Sequence, residues 1–275
     1  MSPDAPAPNA PAPDAPRQTP YELVFGHAPF ESERFPAIAE EAEQRGTHAR
    51  APEDLINLAE AGALLRALIP DDVPPALRGE MLLSHGRLLY HAWHFWRAER
   101  PLWLLERRAA RYLVEARPRP TDWGLRAPAP AGYLQLPRHL FWGTGEEGAP
   151  AEPIDGLFWA LFSGDDGPGD APVLRLLLVL GMRPGRPGFA TTAVEAPLGE
   201  GPWLAVDARP GGRDFENVLP GGELEGLYAV TTPEEALKLA SLAFWLAETG
   251  AVEERGDARV ITLGGGAGEG PRTFS

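Results

Sequence analysis

The sequence has no cysteine and a single lysine, Lys238, among its 275 residues. Without cysteine the chain cannot form disulfides, thiolate zinc sites or iron–sulfur centres, and it has no cysteine nucleophile. A lysine nucleophile would have to be Lys238, but this residue lies in a strongly apolar predicted helix, which favours a surface lysine with its charge in water. The chain also lacks any run of 18 apolar residues, and no basic segment followed by an apolar one opens it. We therefore expect no membrane span and no secretory signal, and a cytoplasmic protein.

Charge is strongly negative overall and unevenly distributed along the chain. The formal net charge is -14, yet residues 77–119 carry nine arginines against four glutamates. Residues 21–72 carry eleven acidic side chains against four arginines, and residues 131–250 carry seventeen against seven basic ones. So large a negative charge opposes bulk nucleic-acid binding, because backbone phosphates would be repelled. The pattern predicts that the basic segment pairs with acidic parts of the same molecule.

The N-terminal half of the chain is predicted to be a tail followed by helices. Residues 1–20 are a Pro/Ala tract with little to bury, which indicates a disordered or polyproline-like tail. Residues 21–117 show helical periodicity and predict a helical subdomain of about four helices. Pro52 and Pro75 are expected at the first turn of a helix, and Pro101 should end the helix before it. A further helix is then predicted to begin near Leu102.

The C-terminal half is predicted to be a sheet with one closing helix. Residues 118–132 are rich in proline and glycine and form the predicted linker. Residues 133–263 contain short apolar runs separated by turn residues, which is typical of an antiparallel sheet or a small barrel. Helix 233–248 begins with a threonine–proline–glutamate–glutamate capping box and is apolar on nearly every side, so it should cover the sheet. Residues 264–275 are predicted to be a flexible tail.

Two predicted strands should form the centre of this sheet. Leu157–Phe162 and Val173–Leu180 are expected to pair as a hairpin, and neither alternates strictly between apolar and polar residues. Both are therefore predicted to be covered on both faces, while Arg259–Leu263 is predicted as an edge strand. The predicted fold class is α+β: an N-terminal helical subdomain joined to a mostly antiparallel sheet or small barrel, which a C-terminal helix covers.

Histidines and arginines of the basic segment are the first candidates for a binding site. His91 and His94 are three residues apart on one predicted helix, where two imidazoles can share a metal. No third ligand has matching spacing, and the aromatic neighbours favour hydrogen-bonded packing instead, so we assign no metal and no cofactor. Together with Arg138 and His139, these histidines are the predicted lining of a small-molecule pocket between the helical layer and the sheet.

The arginines of the basic segment could instead contact a partner or a polyanion. Arginines near tryptophan and tyrosine are typical of single-strand nucleic-acid binding, but pairing with the chain's own carboxylates is the preferred interpretation. The residues concerned are Arg97, Arg100, Arg107, Arg108 and Arg111.

Other motifs carry weaker indications of chemistry. Asp165, Asp166 and Asp170 could hold calcium, but their spacing departs from known calcium loops and favours a solvated hairpin tip. Gly264–Gly270 follows an apolar run, yet no helix can start after it to bind a phosphate. Arg183 and Arg186 could hold an anionic ligand at a turn. Carboxylates bordering predicted strands could form a catalytic pair: Asp155, Asp207, Asp214 and Glu216.

Since common catalytic signatures are missing, the leading hypothesis is a non-enzymatic, bacterial-type interaction or adaptor protein with a protein partner. The alternatives are a small-molecule enzyme or sensor using the histidine pocket, and a nucleic-acid-associated regulator using the arginines.

Overall fold

The computed structural model describes residues 15–27, 29–115, 124–125, 127–143, 151–162, 173–182, 189–197, 204–205 and 227–263. Its helices are α1 (Pro20–Val24), α2 (Phe35–Gln44), α3 (Pro52–Ile56), α4 (Ala59–Leu68), α5 (Pro75–Arg97), α6 (Arg107–Glu115) and α7 (Pro233–Thr249), with a π-helical turn at Phe30–Arg34. Its strands are β1 (Leu102–Leu105), β2 (Gly124–Leu125), β3 (Ala131–Gln135), β4 (Phe141–Gly143), β5 (Glu152–Phe162), β6 (Val173–Leu180), β7 (Ala190–Pro197), β8 (Leu204–Ala205), β9 (Tyr228–Ala229), β10 (Ala251–Arg255) and β11 (Ala258–Thr262). None of the helices in these ranges combines the length and apolarity needed to cross a membrane.

One mixed sheet of nine strands organises the molecule, and the predicted α+β class is confirmed. Its main path runs β10-β11-β1-β3-β5-β4-β9, with β6 and β7 continuing from β5. Most pairs are antiparallel, but β1 is parallel to both β11 and β3, and β4 is parallel to β9. The sheet does not close, so the small-barrel alternative is wrong.

The predicted central hairpin is confirmed. Strands β5 and β6 pair antiparallel, with Phe162 opposite Val173 and Ile154 opposite Leu180. Alternate residues of β5 face opposite layers: Phe158 packs among α1–α5, whereas Trp159 packs against α6 and α7. Both faces are therefore apolar, which explains why these strands lack a polar alternation.

The capping box of α7 is also confirmed, because its signal is entirely local. The Thr232 hydroxyl accepts a hydrogen bond from the Glu235 amide at 3.2 Å, and the Glu235 carboxylate accepts one from the Thr232 amide at 3.0 Å. Pro233 occupies the first helical position, where its missing amide hydrogen costs nothing.

The helix predicted to begin near Leu102 is wrong over its first turn. Leu102–Leu105 is strand β1, which lies between β3 and β11 in the interior of the sheet. A short apolar run such as LWLL is compatible with a buried strand and with a helix. Here it forms a strand because it pairs with strands that are distant in sequence. The helix starts only at Arg107.

Three other predicted assignments along the chain also differ from the structure. The segment predicted as the edge strand is interior, since β11 pairs with both β10 and β1. Residues 15–20 belong to ordered structure that ends in α1, so the predicted disordered tail is wrong for them. Ala131 and Gly132 belong to β3 rather than to a linker. The rest of the predicted tails, residues 1–14 and 264–275, and residues 116–123 lie outside the described residues.

Candidate functional site: a groove at the strand ends

A groove lies where the parallel strands β1 and β3 end side by side. We call it the strand-end groove and define it by Leu104–Glu106, Gln135–Pro137, Asp155 and Val260. Carboxyl ends of adjacent parallel strands are common ligand sites, because loops and helices that follow them diverge and leave a crevice. Here α6 follows β1 after the single residue Glu106.

The chain's own residues Ala15–Gln18, which we call the N-terminal segment, occupy this groove. Exposure alternates along it, with Pro16 and Gln18 exposed while Ala15 and Arg17 are partly buried. That alternation is typical of an extended chain with one side against a surface. Immediately afterwards Thr19 caps α1, accepting from the Glu22 amide at 3.2 Å while its own amide donates to the Glu22 carboxylate at 2.7 Å.

Gln135 binds the main chain of the N-terminal segment. The Arg17 amide donates to Gln135 Oε1 at 2.9 Å, and Gln135 Nε2 donates to the Arg17 carbonyl at 3.2 Å. The glutamine is 1 % exposed, so its amide would lack these partners if the segment left. One side-chain amide thus satisfies both hydrogen-bonding groups of one peptide residue, as a neighbouring strand would.

The Arg17 side chain extends to the far wall of the groove. Its Nε and one terminal nitrogen donate to Asp155 Oδ1 at 3.2 and 2.9 Å. The same terminal nitrogen donates to the carbonyls of Leu136 at 2.9 Å and Asp155 at 3.2 Å. The two charged side chains are only 15 % and 11 % exposed, so this ion pair is shielded from water.

A β-bulge places Asp155 for this contact. Register shifts between Ile154 and Gly156, which leaves Asp155 as the extra residue between two paired positions. Gly156 is required beside it, since an added Cβ would lie 2.6 Å from the Tyr133 hydroxyl oxygen. That hydroxyl donates to Asp155 Oδ2 at 2.7 Å. Burial, followed by the Asp155 charge and hydrogen bond, raises the pKa of Tyr133 well above its usual range, so the phenol stays a donor.

The chemistry of this groove is that of recognition. It presents an amide that pairs with a main chain and a carboxylate that receives a guanidinium, with a protonated phenol behind it. Of the strand-border carboxylates predicted as a catalytic pair, Asp155 is paired with a cation instead. Asp207, Asp214 and Glu216 lie outside the described residues.

The residues predicted to line a small-molecule pocket lie in two different environments. His91 and His94 are buried between α5 and strand β5, at 2 % and 8 % exposure, with their rings against Phe158 and Phe162. His94 Nε2 lies 2.9 Å from the Ala49 carbonyl oxygen, and burial is the main cause that lowers the pKa of His94 to about 4. Arg138 and His139 are exposed on the turn between β3 and β4. No group of three or more metal-ligating side chains forms within the described part of the chain.

The predicted arginine contacts are more varied than carboxylate pairing alone. Arg100 pairs with Glu31 at 2.9 Å, as charge sorting predicts. The Arg97 guanidinium lies 4.8 Å from the centre of a Trp93 ring, and Arg107 donates to the Arg138 carbonyl. On α6, Arg108 and Arg111 are exposed. The predicted calcium loop, the two turn arginines 183 and 186, and the glycine run 264–270 lie outside the described residues.

Sequence patterns alone missed the strand-end groove, although two faint signals pointed to it. Arg17 is the only arginine or lysine before Arg34, isolated in a Pro/Ala tract without a local partner. Gln135 interrupts an apolar run in a predicted strand, where a buried amide needs hydrogen-bond partners. Neither signal says which distant residue completes the contact.

Comparisons of this chain with protein-family models, with curated proteins and with solved structures find no match.

Proposed function

We propose that the protein is a non-enzymatic interaction module that binds an extended, arginine-containing peptide segment in the strand-end groove. The observation that carries this proposal is the double hydrogen bond between the Gln135 side chain and the Arg17 main chain, combined with the Arg17–Asp155 ion pair. On this proposal the N-terminal segment is an intramolecular stand-in for the partner.

In this mode of recognition, one set of contacts supplies affinity for a peptide main chain and another supplies specificity for its side chain. Main-chain hydrogen bonds to Gln135 are open to any peptide sequence, as in strand addition at a sheet edge. Asp155 then selects arginine, whose planar guanidinium can reach the carboxylate and two carbonyl oxygens at once. Lysine would offer a single point charge in the same place.

The charge of the molecule favours the same type of partner. At -14 the protein attracts basic segments over distances of about 8–10 Å at ordinary salt concentrations and repels acidic ones. A short basic peptide would therefore associate faster at low ionic strength, while the contacts in the groove set how long it stays.

The proposal can be tested by supplying the peptide from outside. The full chain with Arg17→Pro frees Asp155 and also loses the amide that donates to Gln135, because proline has neither the guanidinium nor an amide hydrogen. A fluorescent peptide of sequence APRQTP then reports binding by anisotropy. We expect saturable binding to this variant and at least about tenfold weaker binding after the further change Asp155→Asn, which removes the charge but keeps the shape.

Gln18→Ala is the matched control, because it changes a neighbouring exposed side chain and leaves the intramolecular contacts in place. That variant should bind the peptide much more weakly than Arg17→Pro. Absence of peptide binding to the Arg17→Pro chain, with its fold intact by circular dichroism, would refute the proposed function.

A further inference from the structure

Three arginines form a positive border beside the strand-end groove. We call them the basic rim: Arg107 and Arg108 at the start of α6, and Arg138 on the turn after β3. The Arg107 guanidinium donates to the Arg138 carbonyl, which holds the start of α6 and the turn together. The rim adjoins the groove directly, because Glu106 and Pro137 line the groove and precede Arg107 and Arg138 in sequence.

The rim arginines form no ion pair with a carboxylate of the described residues. The ion pairs in that part of the chain use other arginines: Arg17, Arg34, Arg45, Arg100, Arg175 and Arg255. Arg108 and Arg138 are exposed, and the first turn of α6 contains no acidic side chain although the helix dipole favours one there. Only Glu106, just before the helix, offsets part of this positive charge. Contacts within the described chain therefore leave the rim able to bind an anionic group.

The N-terminal segment crosses the strand ends from the β1 side toward β5. Its Arg17 main chain pairs with Gln135 at the end of β3, and the Arg17 side chain reaches Asp155 on β5. Ala15, two residues earlier, lines the groove together with Glu106 and with residues of β1 and β11. Because the sheet order is β11-β1-β3-β5, a peptide in this position enters the groove beside β1. Since α6 follows β1, the basic rim lies on the side of the residues that precede the arginine.

We infer that the partner segment carries an acidic residue on the N-terminal side of its arginine, and that the basic rim binds its carboxylate. This inference rests on the proposed function and specifies the class of peptide. Guanidinium groups bind carboxylates through paired, charge-assisted hydrogen bonds. The chain's own sequence has the same order, because Asp14 precedes Ala15 and stands three positions before Arg17.

The net charge of the molecule predicts the opposite preference, which makes the inference easy to test. At -14 the protein repels an additional negative charge on a peptide, so without the rim an acidic residue should weaken binding. The rim can reverse this only at contact range, because salt screens charges that are more than about 8–10 Å apart.

The first test compares two peptides that differ by one charge and have the same shape, PDAPRQTP and PNAPRQTP. The host is the full chain with Arg17→Pro and Asp14→Asn, so that its own aspartate does not compete with the peptide. We expect PDAPRQTP to bind at least about threefold more tightly than PNAPRQTP by anisotropy, as an exposed ion pair allows. The difference should disappear in about 1 M salt, where the screening length is only about 3 Å.

The second test removes the rim charges from the same host. Arg108→Gln combined with Arg138→Gln should abolish the advantage of PDAPRQTP and leave the binding of PNAPRQTP unchanged within about twofold. The matched control is Arg66→Gln combined with Arg87→Gln, which removes the same charge from exposed positions on α4 and α5. This control should keep the advantage, since α4 and α5 lie in the other helical layer.

The outcomes separate the two proposals. Binding of PDAPRQTP that is equal to or weaker than binding of PNAPRQTP overturns this inference and leaves the proposed function standing. Absence of binding by both peptides overturns both proposals. An advantage that survives the loss of Arg108 and Arg138 places the carboxylate elsewhere and overturns the inference. Filter retention of single-stranded DNA by the unmodified chain, abolished by the same double change, would make phosphate groups the ligand and would also overturn it.

Discussion

At the scale of single residues, Asp155 connects the groove to the core of the sheet. One carboxylate oxygen accepts from Arg17 and the other from the buried Tyr133 hydroxyl, while the Asp155 carbonyl accepts from the Leu136 amide at 2.8 Å. The bulge places all three acceptors at one point of the chain. Loss of the carboxylate alone would leave a guanidinium and a phenol without their charged partner in a shielded site.

Asp155→Ala should therefore lower the free energy of unfolding by about 3 kcal/mol. A double-mutant cycle with Arg17→Ala should give a coupling energy of about 1–3 kcal/mol, measured by urea unfolding at neutral pH. Tyr133→Phe removes one hydrogen bond but no charge, and should cost less than Asp155→Ala. Additive effects of the Arg17 and Asp155 changes would show that the observed ion pair contributes no stability.

At the scale of secondary-structure elements, the end of α5 contains a backbone conformation that its residues do not favour. The Glu99 amide donates to the Trp96 carbonyl at 3.0 Å and the Arg100 amide to the Phe95 carbonyl at 2.8 Å. These two bonds form a Schellman motif, which places Glu99 at φ 65°, and the next residue, Arg100, also has a positive φ of 58°. Glycine is the usual residue at the first of these positions, since other residues pay a steric cost there.

Glu99→Gly should raise the free energy of unfolding by about 1 kcal/mol, because the strain of a Cβ in the left-handed region disappears. Arg100→Gly is the informative comparison. It relieves similar strain but removes the 2.9 Å ion pair with Glu31, so its gain should be smaller. Urea denaturation of both variants measures the difference. A destabilised Glu99→Gly chain would mean that the exposed glutamate side chain makes a favourable contact that outweighs the backbone strain.

Local sequence signals predicted individual helices and strands correctly. Prediction failed where contacts between distant parts of the chain determine the structure. The capping box at Thr232 and the apolar hairpin of β5 and β6 depend on neighbours in sequence or on strand composition, and both are confirmed. Strand Leu102–Leu105 depends on β11 near the other end of the described chain, which no local pattern reveals. The groove was missed for the same reason, since Arg17 and Asp155 are 138 positions apart.

At the scale of the whole molecule, the sheet lies between two helical layers. Helices α1–α5 and one face of the sheet share a core that includes Trp93 and Phe158, and α6 and α7 share another with the opposite face. Because β5 contributes alternate side chains to both cores, we expect the helices predicted as a separate subdomain to unfold together with the sheet. His91 and His94 contact Phe158 and Phe162 of the first of these cores, so their protonation affects the contact between layers.

Acid should therefore weaken the whole fold through these histidines. Burial is the main cause that lowers the pKa of His94 to about 4 and that of His91 well below its usual range, with neighbouring positive charge from Arg175 acting in the same direction. In the unfolded chain both return to about 6.5, so between these values the unfolded state binds more protons and stability falls as pH decreases. For His94 alone the loss from pH 7 to 4 is about 3 kcal/mol.

His94→Gln tests this, because the glutamine amide can still donate to the Ala49 carbonyl but does not titrate near neutral pH. Unfolding free energies measured in urea at pH 7.5, 6.5, 5.5 and 4.5 should depend less on pH in this variant than in the unmodified chain. The matched control is His48→Gln, which changes an exposed histidine and should leave the pH dependence intact. Carboxylates that titrate in the same range affect all three proteins equally, so the difference in slope isolates the buried imidazole. If His94→Gln keeps the full slope, the pKa of His94 is the same in the folded and the unfolded chain, and burial between α5 and the sheet does not disfavour the charged imidazole.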